Sequence, residues 1–181
     1  MAKQTRGRGT GKSKTSLHYH LIGIGGTAMA SLAGLLKAAA HEVTGSGANV
    51  YPPMSTGLPQ MGIAYKQGYR PENLDSKPDI VVVGNAISRG NPELEEVLIR
   101  KLRYTSAAAT IKEEFIWGRH SLAVAGTHGK TTTTSLLAWA LDSAGFNPGF
   151  LIGGGAETFG TSFRLTDSKS FVIEPHEYHT A

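Results

Sequence analysis

Residues 17–40 read "LHYHLIGIGGTAMASLAGLLKAAA", and this stretch decides the fold. Its first part is a strand, in which Leu17, Tyr19 and Leu21 alternate with His18 and His20. "GIGGTA" then turns the chain, and Met29, Leu32, Leu35 and Leu36 recur at the spacing of one helical face. Strand, glycine turn and helix in that order form the opening of a nucleotide-binding α/β unit. The spacing Gly23-x-Gly25-x-x-Ala28 fits the dinucleotide fingerprint in its Gly/Ala form. Glycine lets the backbone approach a diphosphate closely, and the helix N-terminus offers free N–H groups with partial positive charge.

Outward from this turn, "HEVTGSG" (41–47) reads as a second strand and Ile63 to Tyr65 as a short third one. "NVYPPMSTGLPQMG" between them is expected to be irregular, because its prolines block a helix and remove donors. "PDIVVVGNAI" (78–87) is a continuous apolar run, as in a parallel strand buried on both faces. "NPELEEVLIRKL" (91–102) is predicted helical, with Asn91 as cap, Pro92 in the first turn, and Glu93, Glu95 and Glu96 at the positive end. "YTSAAATIKEEFIWG" is read as a helix leading to Arg119. An NAD-binding unit would place an acid at the end of the second strand, for a ribose hydroxyl. Gly47 stands there instead, which disfavours NAD.

A second strand–loop–helix unit opens at "HSLAVAG" (120–126), with its helix predicted from about Lys130 to Ala144. "GTHGKTT" lacks the usual Walker A spacing but keeps Gly129, Lys130 and Thr131 at the helix start. Gly126, Thr127, His128, Gly129, Lys130, Thr131 and Thr132 are the candidate phosphate loop. Its backbone N–H groups would cradle phosphates, Lys130 would supply charge, and the Thr131 hydroxyl suits Mg²⁺. His128 is expected to shape the loop rather than act as a base. "FNPGFLIGG" and "SFVIEP" read as two further strands. The alternation points to an α/β fold with a mainly parallel sheet: a Rossmann-like unit over 17–106, then the first part of a P-loop unit over 107–181, with the boundary between Tyr104 and His120.

Composition narrows the class. The 181 residues contain no cysteine, which excludes disulfides and zinc–thiolate sites. No run of 18 apolar residues marks a membrane span, and no apolar signal region opens the chain, so a cytoplasmic protein is expected. The formal charge of +4 comes from the first sixteen residues, which hold five of the 18 basic groups and no acid. Without them 13 basic residues face 14 acidic ones, so neither nucleic-acid nor membrane binding is expected of the body. That segment, 1–16, holds no apolar residue beyond Met1 and Ala2 and is expected to be a disordered, solvated tail.

Together "HLIGIGGTAMASLAGLL", "GSGANVYPPMS", "VVVGNAISRGNPELE" and "LAVAGTHGKTTTTSLLAW" resemble the Mur ligase family from about Leu17 to Ala181. "GNAISRGNPE" and "NVYPPMS" are most similar to its murein-recycling branch, with the L-alanine-adding branch as the alternative. The resemblance implies an N-terminal unit binding UDP-N-acetylmuramate and a central unit binding ATP and Mg²⁺. ATP would activate a carboxylate as an acyl phosphate, and the amine of a murein tripeptide would attack it. By position, Gly23, Gly25, Gly26, Thr27, Ser46, Asn85 and Ala86 would lie at the UDP sugar. Gly126 to Thr132 would hold ATP, with Lys130 catalytic and Thr131 and Glu174 at the metal. Three departures stand out. Gly47 replaces an Asp of the branch, His176 and His179 replace Asp residues in "EPHEYHTA", and much of the family's length lies beyond this stretch. This chain by itself is therefore expected not to complete ligation, and a non-catalytic nucleotide-binding module is the second reading. Glu174, His176 and His179 also carry transition-metal ligand chemistry, and so do His18 and His20 on one strand face. Solvated or structural histidines are the commoner reading of both sets. Brief trypsin treatment that removes residues 1–16 is expected to leave the melting temperature unchanged; a clear drop would mean that the tail packs on the body.

Overall fold

A computed structural model describes residues 15–153 and 159–175. Most of the basic tail, together with His176 and His179, lies outside the described residues. Five strands form a wholly parallel first sheet: β1 (His18–Ile22), β2 (Glu42–Gly47), β3 (Ala64–Gln67), β4 (Ile80–Val83) and β5 (Tyr104–Ser106). Their spatial order is β3-β2-β1-β4-β5, so the order reverses between β1 and β4. The second sheet holds β6 (His120–Ala123), β7 (Gly149–Leu151), β8 (Phe163–Arg164) and β9 (Ser170–Ile173) in the order β6-β9-β7-β8. Only the β7–β8 pair is antiparallel among the described residues.

The helices are α1 (Thr27–Ala38), α2 (Met54–Gln60), α3 (Pro92–Ile99), α4 (Ala107–Ile111) and α5 (Lys130–Ser143). A 3₁₀ turn spans Pro71–Ser76, and a π turn over Lys112–Ile116 extends α4. Asn91 caps α3 as expected, its Oδ1 accepting from the N–H groups of Glu93 and Leu94 at 3.0 and 3.1 Å.

Three sequence expectations need correction. The 49–62 stretch is not irregular, since α2 runs through it with Pro59 inside. Pro53 lies at the N-cap, where no donor is needed, and the helix is so short that Pro59 removes a single bond while Leu58 anchors it in the core. "YTS" is not helical, because it joins the sheet as β5 beside β4. The third strand is shifted to Ala64–Gln67. The alternation in β1 holds, with Tyr19 and Leu21 on one face and His18 and His20 on the other, and all five strand residues are buried. β1 is the central strand, both its faces are covered, and its histidines find polar partners.

Helix α1 is buried almost all round, with eight of its twelve residues out of solvent. One side packs on the first sheet, and the other receives β8 from the second. Gly34 makes this possible, because a Cβ there would run into the Phe163 ring. Beside it the Ser31 and Ser162 hydroxyls lie 2.7 Å apart. Phe115 stacks on Phe171 at 6.4 Å, and both belong to the apolar cluster built on Leu21, Leu32 and Leu35. The two sheets therefore share one core. Gly34→Leu is expected to destabilise the protein in urea denaturation by about 1–3 kcal/mol, since overpacking outweighs the about 1 kcal/mol returned by removing a helical glycine. An unchanged midpoint would show that the seam is loosely packed.

Candidate functional site

The first candidate site forms at the reversal between β1 and β4, where open parallel sheets bind ligands at their C-terminal ends. Strand β1 ends at Ile22, and Gly23 turns the chain with φ +91°. The N–H groups of Gly23 and Ile24 both donate to the Ser46 carbonyl, at 2.8 and 2.9 Å, which fixes the turn to β2. Gly26 then caps α1 without any side-chain hydrogen bond, and the first helical turn has no acid. The helix start is thus left open to an anion.

A cleft of about 360 Å³ lies in front of this turn. Of the sequence candidates, Gly23, Gly25, Gly26, Asn85 and Ala86 line it. A Cβ on Gly25 would sit 3.2 Å from Val50 Cγ2 and 3.5 Å from the Asn49 carbonyl, so a larger residue would close the approach. Thr27 faces an adjoining hollow of about 300 Å³, which Asn85 and Ile111 also line. Ser46 is different: its side chain is buried, its Oγ has no hydrogen-bond partner, and its carbonyl is what serves the turn. Gly47 lines the cleft where an acid would stand in an NAD site, and a Cβ there would lie 2.8 Å from Val50 Cγ2. Sequence reading missed Asn49, Tyr69 and Gly84, which also line the cleft. Gly84 had a usable signal, since it directly follows the buried run of β4; a Cβ there would meet the Ile22 carbonyl at 2.9 Å.

The second candidate site is the loop between β6 and α5. Gly129 caps α5 with φ +74°, again without a side-chain cap or an acid in the first turn. Gly126, Thr127, His128 and Thr132 are exposed along the loop, while Lys130 and Thr131 are half-buried. Glu174 directly follows β9 and is buried. It accepts from the Thr131 hydroxyl at 3.0 Å through Oε1 and from the Gly153 N–H at 2.8 Å through Oε2. Two candidate metal ligands far apart in sequence are therefore brought together at a helix start. A hydroxyl and a carboxylate are hard oxygen donors, which fit Mg²⁺, an ion that keeps several waters. Among the described residues no set of three or more His, Asp or Glu is placed to hold a metal ion, and the His18 and His20 rings hydrogen-bond to Thr44 and Glu93.

Charge chemistry elsewhere is structural. Burial, and then the Glu114 carboxylate it donates to at 3.2 Å, pushes the Tyr19 phenol far up. Arg164 bonds Asp142 at 2.7 Å and holds that carboxyl below its ordinary range.

Comparison with known proteins places these features. Residues 18–114 match the model described as "Mur ligase family, catalytic domain". The chain is 50% identical over 164 residues to the UDP-N-acetylmuramate–L-alanyl-gamma-D-glutamyl-meso-2,6-diaminoheptandioate ligase of Haemophilus influenzae, covering 91% of this chain and 36% of that protein. The Escherichia coli K12 protein of the same name is 48% identical over 165 residues, with the same coverage of 91% and 36%. The crystal structure of UDP-N-acetylmuramate:L-alanyl-gamma-D-glutamyl-meso-diaminopimelate ligase from Neisseria meningitides superposes with a TM-score of 0.88 at 46% identity, covering 92% of this chain and 54% of that one. The chain spans about a third of the length of the curated relatives it matches. With more than half of its residues matched by the family model, and with strong likeness in both sequence and fold, the chain belongs to the Mur ligase family.

Proposed function

We propose that this chain carries the nucleotide-sugar site and the opening part of the ATP site of an ATP-dependent amide ligase. The substrates would be UDP-N-acetylmuramate and L-Ala-γ-D-Glu-meso-diaminopimelate, joined in peptidoglycan recycling. One observation carries the reading: two open helix starts stand on one shared core, one behind a substrate-sized cleft and the other beside a Thr–Glu pair suited to a metal. The names of the relatives supply the substrates, and they favour the tripeptide-adding over the L-alanine-adding reaction.

In this reading residues 17–106 form the UDP-sugar unit, and residues 107–181 begin a P-loop unit. Gly23, Gly25 and Gly26 admit the diphosphate, and the N–H groups at the start of α1 from Thr27 onward bind it. Asn85 and Ala86 flank the same ligand, and Ser46 acts through its carbonyl by holding the turn. Gly126 to Thr132 wrap the phosphates of ATP, which supplies the group that activates the sugar's carboxylate. Lys130 neutralises charge as the phosphoryl group moves, while Thr131 and Glu174 hold the magnesium. ATP and nucleotide sugars are cytoplasmic metabolites, so the cytoplasm is the proposed compartment. No helix among the described residues is long and apolar enough to cross a membrane.

Calorimetry tests both halves. UDP-N-acetylmuramate is expected to bind more tightly than NAD, and Gly25→Val to abolish that binding by closing the backbone approach. Unchanged affinity in this variant would remove the diphosphate role of the turn. MgATP affinity is expected to fall about tenfold to a hundredfold in Lys130→Ala, the scale of a lost charged hydrogen bond. Glu174→Gln is expected to erase the difference between ATP affinities with and without Mg²⁺; a retained difference would take Glu174 out of the metal site.

A further inference from the structure

The face of the first sheet opposite α1 holds a run of polar side chains, all buried but the half-buried Thr44, that the proposed chemistry does not use. The Thr44 hydroxyl lies 2.8 Å from both His18 Nε2 and His20 Nδ1. His20 Nε2 lies 2.6 Å from Glu93 Oε1, and Asn73 donates to Glu93 Oε2 at 2.8 Å. Asn73 and Glu93 are 5% and 0% exposed. A buried carboxylate is costly to desolvate, and apolar residues of similar size would pack as well. Its position in the first turn of α3 offsets part of that cost.

The run ends at the cleft. Asn73 donates from the same nitrogen to the Gly68 carbonyl at 3.0 Å. Gly68 has φ +81°, and its own N–H donates to the Gly47 carbonyl at 2.8 Å. Gly68 is therefore held from both sides, and the next residue is Tyr69. Tyr69 is half-buried against the cluster of Ile22, Leu74 and Val97, and with Ile87 it makes an apolar wall of the cleft. It is the one aromatic residue on that wall among the described residues.

We propose that Tyr69 is the surface on which the nucleobase stacks, and that Asn73 and Glu93 are positioning residues acting on it through the Gly68 carbonyl. The proposal rests on the nucleotide-sugar reading and extends it from the diphosphate to the base. The glycine turn grips phosphate, which every nucleotide has. A flat aromatic wall beside it adds affinity for the base, because any base has a π face to stack. Anchoring the wall to α3 and β1 by buried hydrogen bonds keeps the ring in place before the ligand arrives.

The test compares UDP with inorganic pyrophosphate by calorimetry, using the 181-residue protein in the Lys130→Ala background so that the second loop contributes little. Tyr69→Leu is expected to weaken UDP about tenfold and leave pyrophosphate unchanged. Asn73→Ala should show the same split. The double variant should lose no more than the worse single one, within about twofold, because both changes remove the same contact. If Asn73→Ala does not fold, the near-isosteric Glu93→Gln takes its place in the cycle, with a smaller loss confined to UDP. Equal weakening of UDP and pyrophosphate in the Asn73 or Glu93 variant would overturn the proposal by showing general loosening. So would single losses that multiply in the double variant. A parent that binds UDP with no response to Tyr69, Asn73 or Glu93 overturns the proposal alone. A parent that binds no UDP overturns the nucleotide-sugar reading and the proposal with it.

Discussion

The structure depends on the burial of one helix from both sides. Helix α1 begins at the glycine turn, and its middle is clamped between the first sheet and β8. Each fully buried leucine along it is worth about 1.5–3 kcal/mol. The consequence reaches the second loop through a series of short contacts. Ser31 meets Ser162, the Ser162 carbonyl accepts from Ile152 N–H at 2.8 Å, and the neighbouring Gly153 N–H donates to Glu174, which accepts from Thr131. The two open helix starts are thus attached to one frame. A reaction between a sugar at one and a phosphate at the other would need that fixed relation, because much of the barrier to a two-substrate reaction lies in bringing the groups together.

The two faces of the first sheet solve burial differently. On the α1 side the contacts are apolar, with Leu21, Val43 and Val82 meeting Leu32 and Leu35. On the α3 side His18, His20 and Glu93 are buried around the half-buried Thr44, and hydrogen bonds reach both ring nitrogens of His20 and both oxygens of Glu93. Packing on the first side tolerates similar shapes. Directional bonds on the second side tolerate few, because losing one partner strands another polar group. Geometry near the cleft is accordingly better specified from the α3 side than packing alone would make it.

Much of this was legible in the sequence. Period and glycine placement revealed β1, α1, β4, α3 and α5, and Asn91-Pro92 announced a capped helix start. The two glycine turns were visible because few other roles need glycine before a helix. What stayed hidden depends on tertiary contact. His18 and His20 share one face of an alternating strand, but nothing local tells that α3 supplies Glu93 to His20 there. Glu93 itself looked like one of three acids favouring a helix N-terminus, and only the fold shows that it points inward. Tyr69 carries no local motif and reaches the cleft because β3 ends beside β2. The convergence of Thr131 and Glu174, 43 residues apart, was given by family resemblance and not by spacing.

The central claim is that the two glycine loops are separate sites for two different nucleotides. It is tested most directly by titrating UDP-N-acetylmuramate into the protein with and without saturating MgATP. Two separate sites predict one bound molecule of each ligand, with the sugar nucleotide still binding when MgATP is present. Mutual displacement at a single site, or failure of either ligand to bind, would contradict it.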